Sequence, residues 1–271
     1  MHPILFSIFG FPIHSYGALL AISFLAGIYL ATYKAKKNNL DPNVIMDVGF
    51  YIILAAIVGA RLYYVGLHFE EFKGDLWAIF NPFHGGNLGI GGLVMYGGFI
   101  GSFLAALIYF KTKKIAFAPY GDALAASAAF GIFITRIGCF LNGCCYGSAT
   151  HSHIGVSFPI DSPAGVFQHQ IHAATLIPSQ LIEAAGGLII GLLLVALPAK
   201  TFFPGFKAYL LGLLYAILRF GIDFTRVYTD SERLWGLSHN QIVCIVLFVV
   251  FAGLMLKNLL DKQESVPQPV A

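Results

Sequence analysis

The sequence predicts an all-α membrane protein of seven transmembrane helices, with its N-terminus outside and its C-terminus in the cytoplasm. Three observations predict this class. Of 271 residues, 58% are hydrophobic and only 11% charged, and the mean hydropathy is +0.77, whereas soluble domains carry about 25% charged residues. Apolar runs long enough to cross a bilayer, about 17–25 residues, recur along the chain. They are continuous and lack the period-two alternation of a lipid-facing barrel strand, so helices are the element that satisfies their backbone in hydrocarbon.

The runs cover residues 14–33, 44–67, 91–110, 119–141, 178–197, 207–228 and 239–257. Lysine orients them. Ten of the eleven lysines fall in four clusters: Lys34, Lys36 and Lys37; Lys111, Lys113 and Lys114; Lys200 and Lys207; Lys257 and Lys262. These follow the first, third, fifth and seventh runs, which the positive-inside rule places in the cytoplasm. The loops at 68–90, 142–177 and 229–238 then face outward and hold both tryptophans, Trp77 and Trp235, as interface anchors. Residues 1–13 contain no Lys or Arg for a basic signal-peptide region, so the first run doubles as the targeting element. The organisation expected is one polytopic domain over 1–260, with an extracytoplasmic segment at 142–177. A polar, disordered cytoplasmic tail follows at 261–271, carrying Pro267 and Pro269. The net charge of +3 belongs to the loop lysines and gives no reason to expect a nucleic-acid partner. No internal repeat marks the two halves that a transporter would show.

Arginine is distributed differently. Arg61, Arg136, Arg219 and Arg226 lie within or at the edge of runs, and only Arg233 is clearly in a loop. A mid-membrane arginine costs about 2.5–3.5 kcal/mol even on the translocon scale, so anionic partners or a function must compensate. The intramembrane carboxylates are Asp47, Asp122, Glu183 and Asp223, and Arg219 and Asp223 stand four apart, within pairing reach on one helix. Two uses fit Arg136 and Arg219: salt-bridged glue between helices, or a bidentate grip on a lipid phosphate at the outer headgroup depth. The glycine-rich run "GGNLGIGGLVMYGGFIG" at 85–101 permits close backbone approach either to a phosphate or, through Gly97 and Gly101, to another helix.

Cys139, Cys144 and Cys145 with His151 and His153 have the spacing C-x4-C-C-x5-H-x-H, which matches no standard zinc pattern. A disulfide on an oxidising face is a second use, and small side chains shaping a turn a third. Cys244 reads as packing. His14, at the outer start of the first run, is either an interfacial side chain or part of a site.

Seven segments, in order and spacing, resemble the bacterial prolipoprotein diacylglyceryl transferases. These are "HSYG" at 14–17, "GARLYY" at 59–64, "GGLVMYGGFIG" at 91–101, "RIGCFLNGCCYG" at 136–147, "PSQLIEA" at 178–184, "LRFGIDFTR" at 218–226 and "SHNQIV" at 238–243. The resemblance implies transfer of the diacylglyceryl group of phosphatidylglycerol to the thiol of the lipobox cysteine in a prolipoprotein signal peptide, with a thioether formed and glycerol phosphate released. It implies a multi-pass enzyme of the bacterial cytoplasmic (inner) membrane, working in the lipid bilayer with its site toward the extracytoplasmic side and requiring no metal or cofactor. The family pattern matches at Tyr16, Arg136, Gly138, Asn142, Gly147, Glu183, Arg219 and Asp223, with Arg136 and Arg219 as the essential pair. Arg61, Gly97 and Gly98 join the substrate-binding set.

This chain departs from the pattern in three places. Tyr96 stands where the family has a histidine, Cys139 and Cys144 replace the signature's asparagine and glutamate, and Ile177 replaces a histidine before "PSQ". With an unperturbed pKa near 10, Tyr96 is expected to donate a hydrogen bond to phosphate rather than act as base. Asp223, His14 and Glu183 remain as candidate proton acceptors.

Overall fold

The structure is a computed structural model that describes residues 3–8, 11–74, 76–79, 94–198, 202–228 and 233–264. Its elements are, in order, β1 (Ile4–Ile8), β2 (Phe11–His14), α1 (Ser15–Lys37), α2 (Pro42–Leu67), α3 (Phe69–Phe72), α4 (Met95–Lys113) and α5 (Phe117–Asn142). There follow β3 (Ala149–Thr150), α6 (Pro163–Gln170), β4 (Thr175–Leu176), α7 (Ser179–Ala196), α8 (Phe206–Asp223), β5 (Arg233–Leu234), β6 (Leu237–Ser238) and α9 (His239–Glu264). Each apolar run is helical over most of its described residues. Five helices, α1, α2, α5, α7 and α9, are long and apolar enough to cross a membrane. α8 carries three charges, Lys207, Arg219 and Asp223, within its 18 residues.

The structure amends several expectations. Beside the helices stand three two-stranded antiparallel ladders, β1 with β2, β3 with β4 and β5 with β6. The run expected to extend to 228 leaves the helix after Asp223, so Arg226 lies in the segment that follows α8. α9 continues to Glu264, into the stretch expected as tail; residues 265–271 lie outside the described set, as do residues 80–93 and with them most of the glycine-rich run.

Helix ends follow local chemistry. Asp41 caps α2 by accepting from the Asn43 amide at 2.9 Å, with Pro42 at the first helical position. Ser162 caps α6 in the same way, accepting from Gly165 N at 3.1 Å ahead of Pro163. Lysines occupy the last turns of α1 and α4, where the helix dipole favours cations. The N-terminus of α8 is capped from another helix: the Asp122 carboxylate of α5 accepts from the amides of Gly205, Lys207 and Ala208 at 2.7–3.2 Å. Lys207, expected in a loop, is buried, and its Nζ donates to the Leu197 carbonyl at the end of α7, 3.0 Å away.

Exposure is inverted relative to a soluble protein. Leu25 and Val249 are 70% and 62% exposed, whereas Glu183 is 0% and Asp223 3% exposed. Such a surface is tenable where the surrounding medium is hydrocarbon and polar groups find their partners inside.

Two compact units are distinguished, residues 39–117 and residues 1–38 with 118–271. In the first, α2 and α4 pack with their backbones in contact: a Cβ on Gly97 would collide with the Gly59 carbonyl oxygen and Tyr63 Cβ, and one on Gly101 with the Ala55 carbonyl. Tyr109 of α4 donates to Asp47 of α2 at 3.0 Å, giving that carboxylate a partner. Gly101→Val is therefore expected to cost about 1–3 kcal/mol by overpacking, read as a lower midpoint of thermal unfolding in micelles. Gly66→Ala, where nothing lies within 4 Å, should leave the midpoint unchanged.

In the second unit, Ala125, Ala126 and Ala129 of α5 meet Ile190 and Leu194 of α7, with Leu210, Leu211, Leu214 and Leu218 of α8 packed against them. α1 lies on α5 through the Ser23 hydroxyl, which donates to the Gly131 carbonyl at 3.1 Å. These small residues bring α1, α5, α7 and α8 close enough for their polar side chains to meet.

Candidate active site

Glu183 is the centre of the polar cluster. It lies on the first turns of α7 and is fully buried, and its Oε1 takes Arg136 Nη2 of α5 at 3.0 Å and the Tyr215 hydroxyl of α8 at 3.0 Å. Its Oε2 has no hydrogen-bond partner among the described residues. The guanidiniums of both Arg136 and Arg219 are within electrostatic reach of this carboxylate. Both arginine side chains are largely buried, 19% and 11% exposed, so an anion reaching them would be held in a poorly screened site.

Arg219 belongs to a second network. Its Nη1 lies 2.7 Å from Asp223 Oδ1, a close charge contact outside hydrogen-bond alignment. Tyr228 donates to the same Oδ1 at 2.6 Å, and the Ser238 hydroxyl donates to Oδ2. Ser238 Oγ also accepts from Gln241 N at 3.1 Å while Gln241 Oε1 accepts from Ser238 N at 3.0 Å, a capping box that starts α9. Asp223 thus ties the end of α8 to the start of α9, and both its oxygens are occupied.

The signature segment after α5 lies beside Arg136. Gly138 lets α1 approach α5, with Tyr16 Cα 3.4 Å and Leu19 Cβ 3.2 Å from where its Cβ would stand. The Tyr16 phenol is in the electrostatic field of Arg136, Cys139, Cys144 and Cys145. The loop is held from several sides: Gln180 Nε2 donates to Cys144 O at 2.8 Å, Arg226 Nη2 to Cys145 O at 3.0 Å, and Ser148 N to Thr225 O at 2.8 Å. Gly147 leaves no room for a side chain between Ser179, Thr225 and Ile177. Asn142, the last residue of α5, lies beside the Cys144 thiol. The three cysteine Sγ atoms lie within 4.8 Å of one another, and all the cysteines are free thiols. Hydrogen bonds from Cys139 and Cys144, aided by the Arg226 and Arg136 guanidiniums, hold the Cys145 thiol well below its ordinary pKa.

The second unit therefore brings together Tyr16, Arg136, Gly138, Asn142, Gly147, Glu183, Arg219 and Asp223. His14 ends β2 immediately before α1 and is exposed. Tyr96, Gly97, Gly98 and Arg61 belong to the other unit. Tyr96 is exposed in the first turn of α4, and Gly97 and Gly98 face α2. Arg61 Nε donates to Ile79 O at 3.0 Å, with its guanidinium over the rings of Tyr64 and Phe72.

Sequence reading missed Tyr215, Tyr228, Gln180 and Ser238. Tyr215 stands one turn before Arg219 on α8 and so shares its face, and S-x-x-Q at 238–241 is a legible capping box. Tyr228 and Gln180 carry no such local signal.

Comparison with known proteins places the chain. The family model described as prolipoprotein diacylglyceryl transferase matches residues 3–257. The chain is 33% identical to the phosphatidylglycerol--prolipoprotein diacylglyceryl transferase of Campylobacter curvus over 96% of this chain and 94% of that protein. It is 31% identical to a Clostridium perfringens protein of the same name, over 92% of each. The buried arginines and carboxylates are carried by a chain that matches over almost its full length, and the chain belongs to the prolipoprotein diacylglyceryl transferase family.

Proposed function

We propose that this chain transfers the diacylglyceryl group of phosphatidylglycerol to the lipobox cysteine of a prolipoprotein signal peptide. The observation that carries this reading is a pair of largely buried guanidiniums in a single unit, Arg136 on the buried Glu183 at 3.0 Å and Arg219 on Asp223 at 2.7 Å, with Glu183 in the electrostatic field of both. The substrate thiolate attacks the glyceryl carbon, an S–C bond forms as the C–O bond to phosphate breaks, and glycerol phosphate leaves with the electron pair. Guanidiniums in a site of low dielectric stabilise the charge growing on that phosphate.

Arg136 is paired with Glu183 before lipid arrives. A headgroup phosphate would take over this guanidinium, leaving Tyr215 on Glu183 Oε1 and Oε2 open, which makes Glu183 the acceptor for the thiol proton. Asp223, with both oxygens occupied, acts as a positioning residue for Arg219. An apolar cleft of about 260 Å3, lined by Ala216, Ile217 and Phe220 of α8 and Cys244, Ile245 and Phe248 of α9, offers a place for an acyl chain. In this reading α4 and α8 also span, the N-terminus is outside, and the site opens to the extracytoplasmic half of the bacterial cytoplasmic membrane.

The test is reconstitution of the full chain in phosphatidylglycerol vesicles with a lipobox peptide. A thioether-linked diacylglyceryl peptide is expected by mass spectrometry, with one glycerol phosphate released per adduct. Vesicles containing only phosphatidylethanolamine should give none. Adducts that persist on a peptide whose lipobox cysteine is replaced by serine would overturn the assigned acceptor.

A further inference from the structure

The reaction above makes no use of the three thiols of Cys139, Cys144 and Cys145. We propose that they form a three-coordinate site for a thiophilic d10 metal ion. Their Sγ atoms all lie within 4.8 Å of one another, and no histidine or carboxylate belongs to the group among the described residues. A trigonal centre with metal–sulfur bonds of about 2.3 Å sets its sulfurs about 4 Å apart, so closing on one ion requires movements of under about 1 Å.

The usual objection to adjacent cysteines is that neighbouring side chains diverge. Here Cys145 has left-handed backbone, φ 62°, an uncommon state for a non-glycine residue, and its thiol joins that of Cys144. Hydrogen bonds from Gln180 and Arg226 to the carbonyls of Cys144 and Cys145, and from Cys144 N to Cys139 O at 3.0 Å, hold the three backbones in place. Cys139 is buried, whereas Cys144 and Cys145 are partly exposed, so an ion has access from one side.

Ligand type and charge choose the ion. Sulfur-only donors select soft cations such as Cu(I), Zn(II) or Cd(II) over magnesium or calcium. Three thiolates leave a net charge of −1 around a divalent ion and −2 around a monovalent one. Arg136, whose Nη1 lies 3.9 Å from Cys139 Sγ, and Arg226, on the Cys145 carbonyl, supply adjacent positive charge for such an anionic centre. Each thiol that binds gives its proton to solvent.

The site does not depend on the transferase reading and is tested apart from it. The full chain in detergent, reduced with a thiol-free phosphine and desalted, is titrated with Cd2+ while sulfur-to-metal charge-transfer absorption is followed. One ion per chain is expected. Cys139→Ser, Cys144→Ser and Cys145→Ser should each weaken binding by more than about 100-fold, beyond the loss that an outer-shell partner causes, while Cys244→Ser keeps it. Should Cys139→Ser fail to fold, the partly exposed pair Cys144→Ser and Cys145→Ser carries the test. No absorption band from the unmodified chain at equimolar Cd2+, or an undiminished band in any folded variant of the three, overturns the proposal.

Discussion

Arg136→Ala is expected to lower diacylglyceryl transfer by at least about 10²–10³-fold, the range for removing one preorganised donor from a developing anion. The same change strands a carboxylate. Glu183 is fully buried and Arg136 is its cationic partner at 3.0 Å, and breaking a buried pair from one side costs about 3–5 kcal/mol because the remaining charge is uncompensated. The two losses separate in a double variant. Arg136→Ala with Glu183→Gln should recover most of the unfolding midpoint in micelles yet none of the turnover. Arg136→Lys, which keeps the charge without the planar fork, should lie between wild type and alanine in rate. Near-normal turnover by a folded Arg136→Ala protein would remove this residue from the mechanism.

Asp223→Ala has the second largest expected effect, and it acts through structure. Three groups lose their acceptor at once: Arg219 in its 2.7 Å charge contact, the Tyr228 hydroxyl and the Ser238 hydroxyl. A loss of about 3–5 kcal/mol is expected from the orphaned buried cation alone, measured as a shift in the unfolding midpoint in micelles. Ser238→Ala, which removes the α9 cap but leaves Arg219 paired, should cost about 1 kcal/mol. Because Asp223 works by aiming Arg219, Asp223→Asn should lower kcat far more than it raises KM for the peptide. A fall confined to stability, with kcat intact, would show that Asp223 only fastens α8 to α9.

Much of this protein was written in local sequence. Hydropathy alone pointed to helices, five of which are long and apolar enough to cross a membrane, because an apolar run of that length in lipid has helix as its one open-ended way to satisfy its backbone. The Arg219–Asp223 pair followed from four-residue spacing on a helix. Its extended role did not: that Asp223 also holds Tyr228 and Ser238 depends on how the chain returns after α8. Asp122 was read only as one of the few intramembrane carboxylates open to an arginine, and it caps α8 from 83–86 residues away in sequence.

For the arginines, two uses stood open from the sequence, and the structure shows that the ion pairs exist. Arg136 bridges α5 to α7, so helix glue and a phosphate grip are successive states of one side chain in the proposed mechanism. The cysteines divide the same way. Spacing matched no standard metal pattern, since a pattern assumes ordinary backbone between its ligands. A left-handed residue at Cys145 removes that assumption.

By itself, then, the sequence determined the helices, their membrane setting and the residues that carry charge, because each of these follows from transfer free energy and helical spacing within a single segment. Only the tertiary structure decided which charge meets which, for partners such as Arg136 and Glu183 or Asp122 and the α8 amides lie on different helices, and their meeting depends on small residues that let those helices approach.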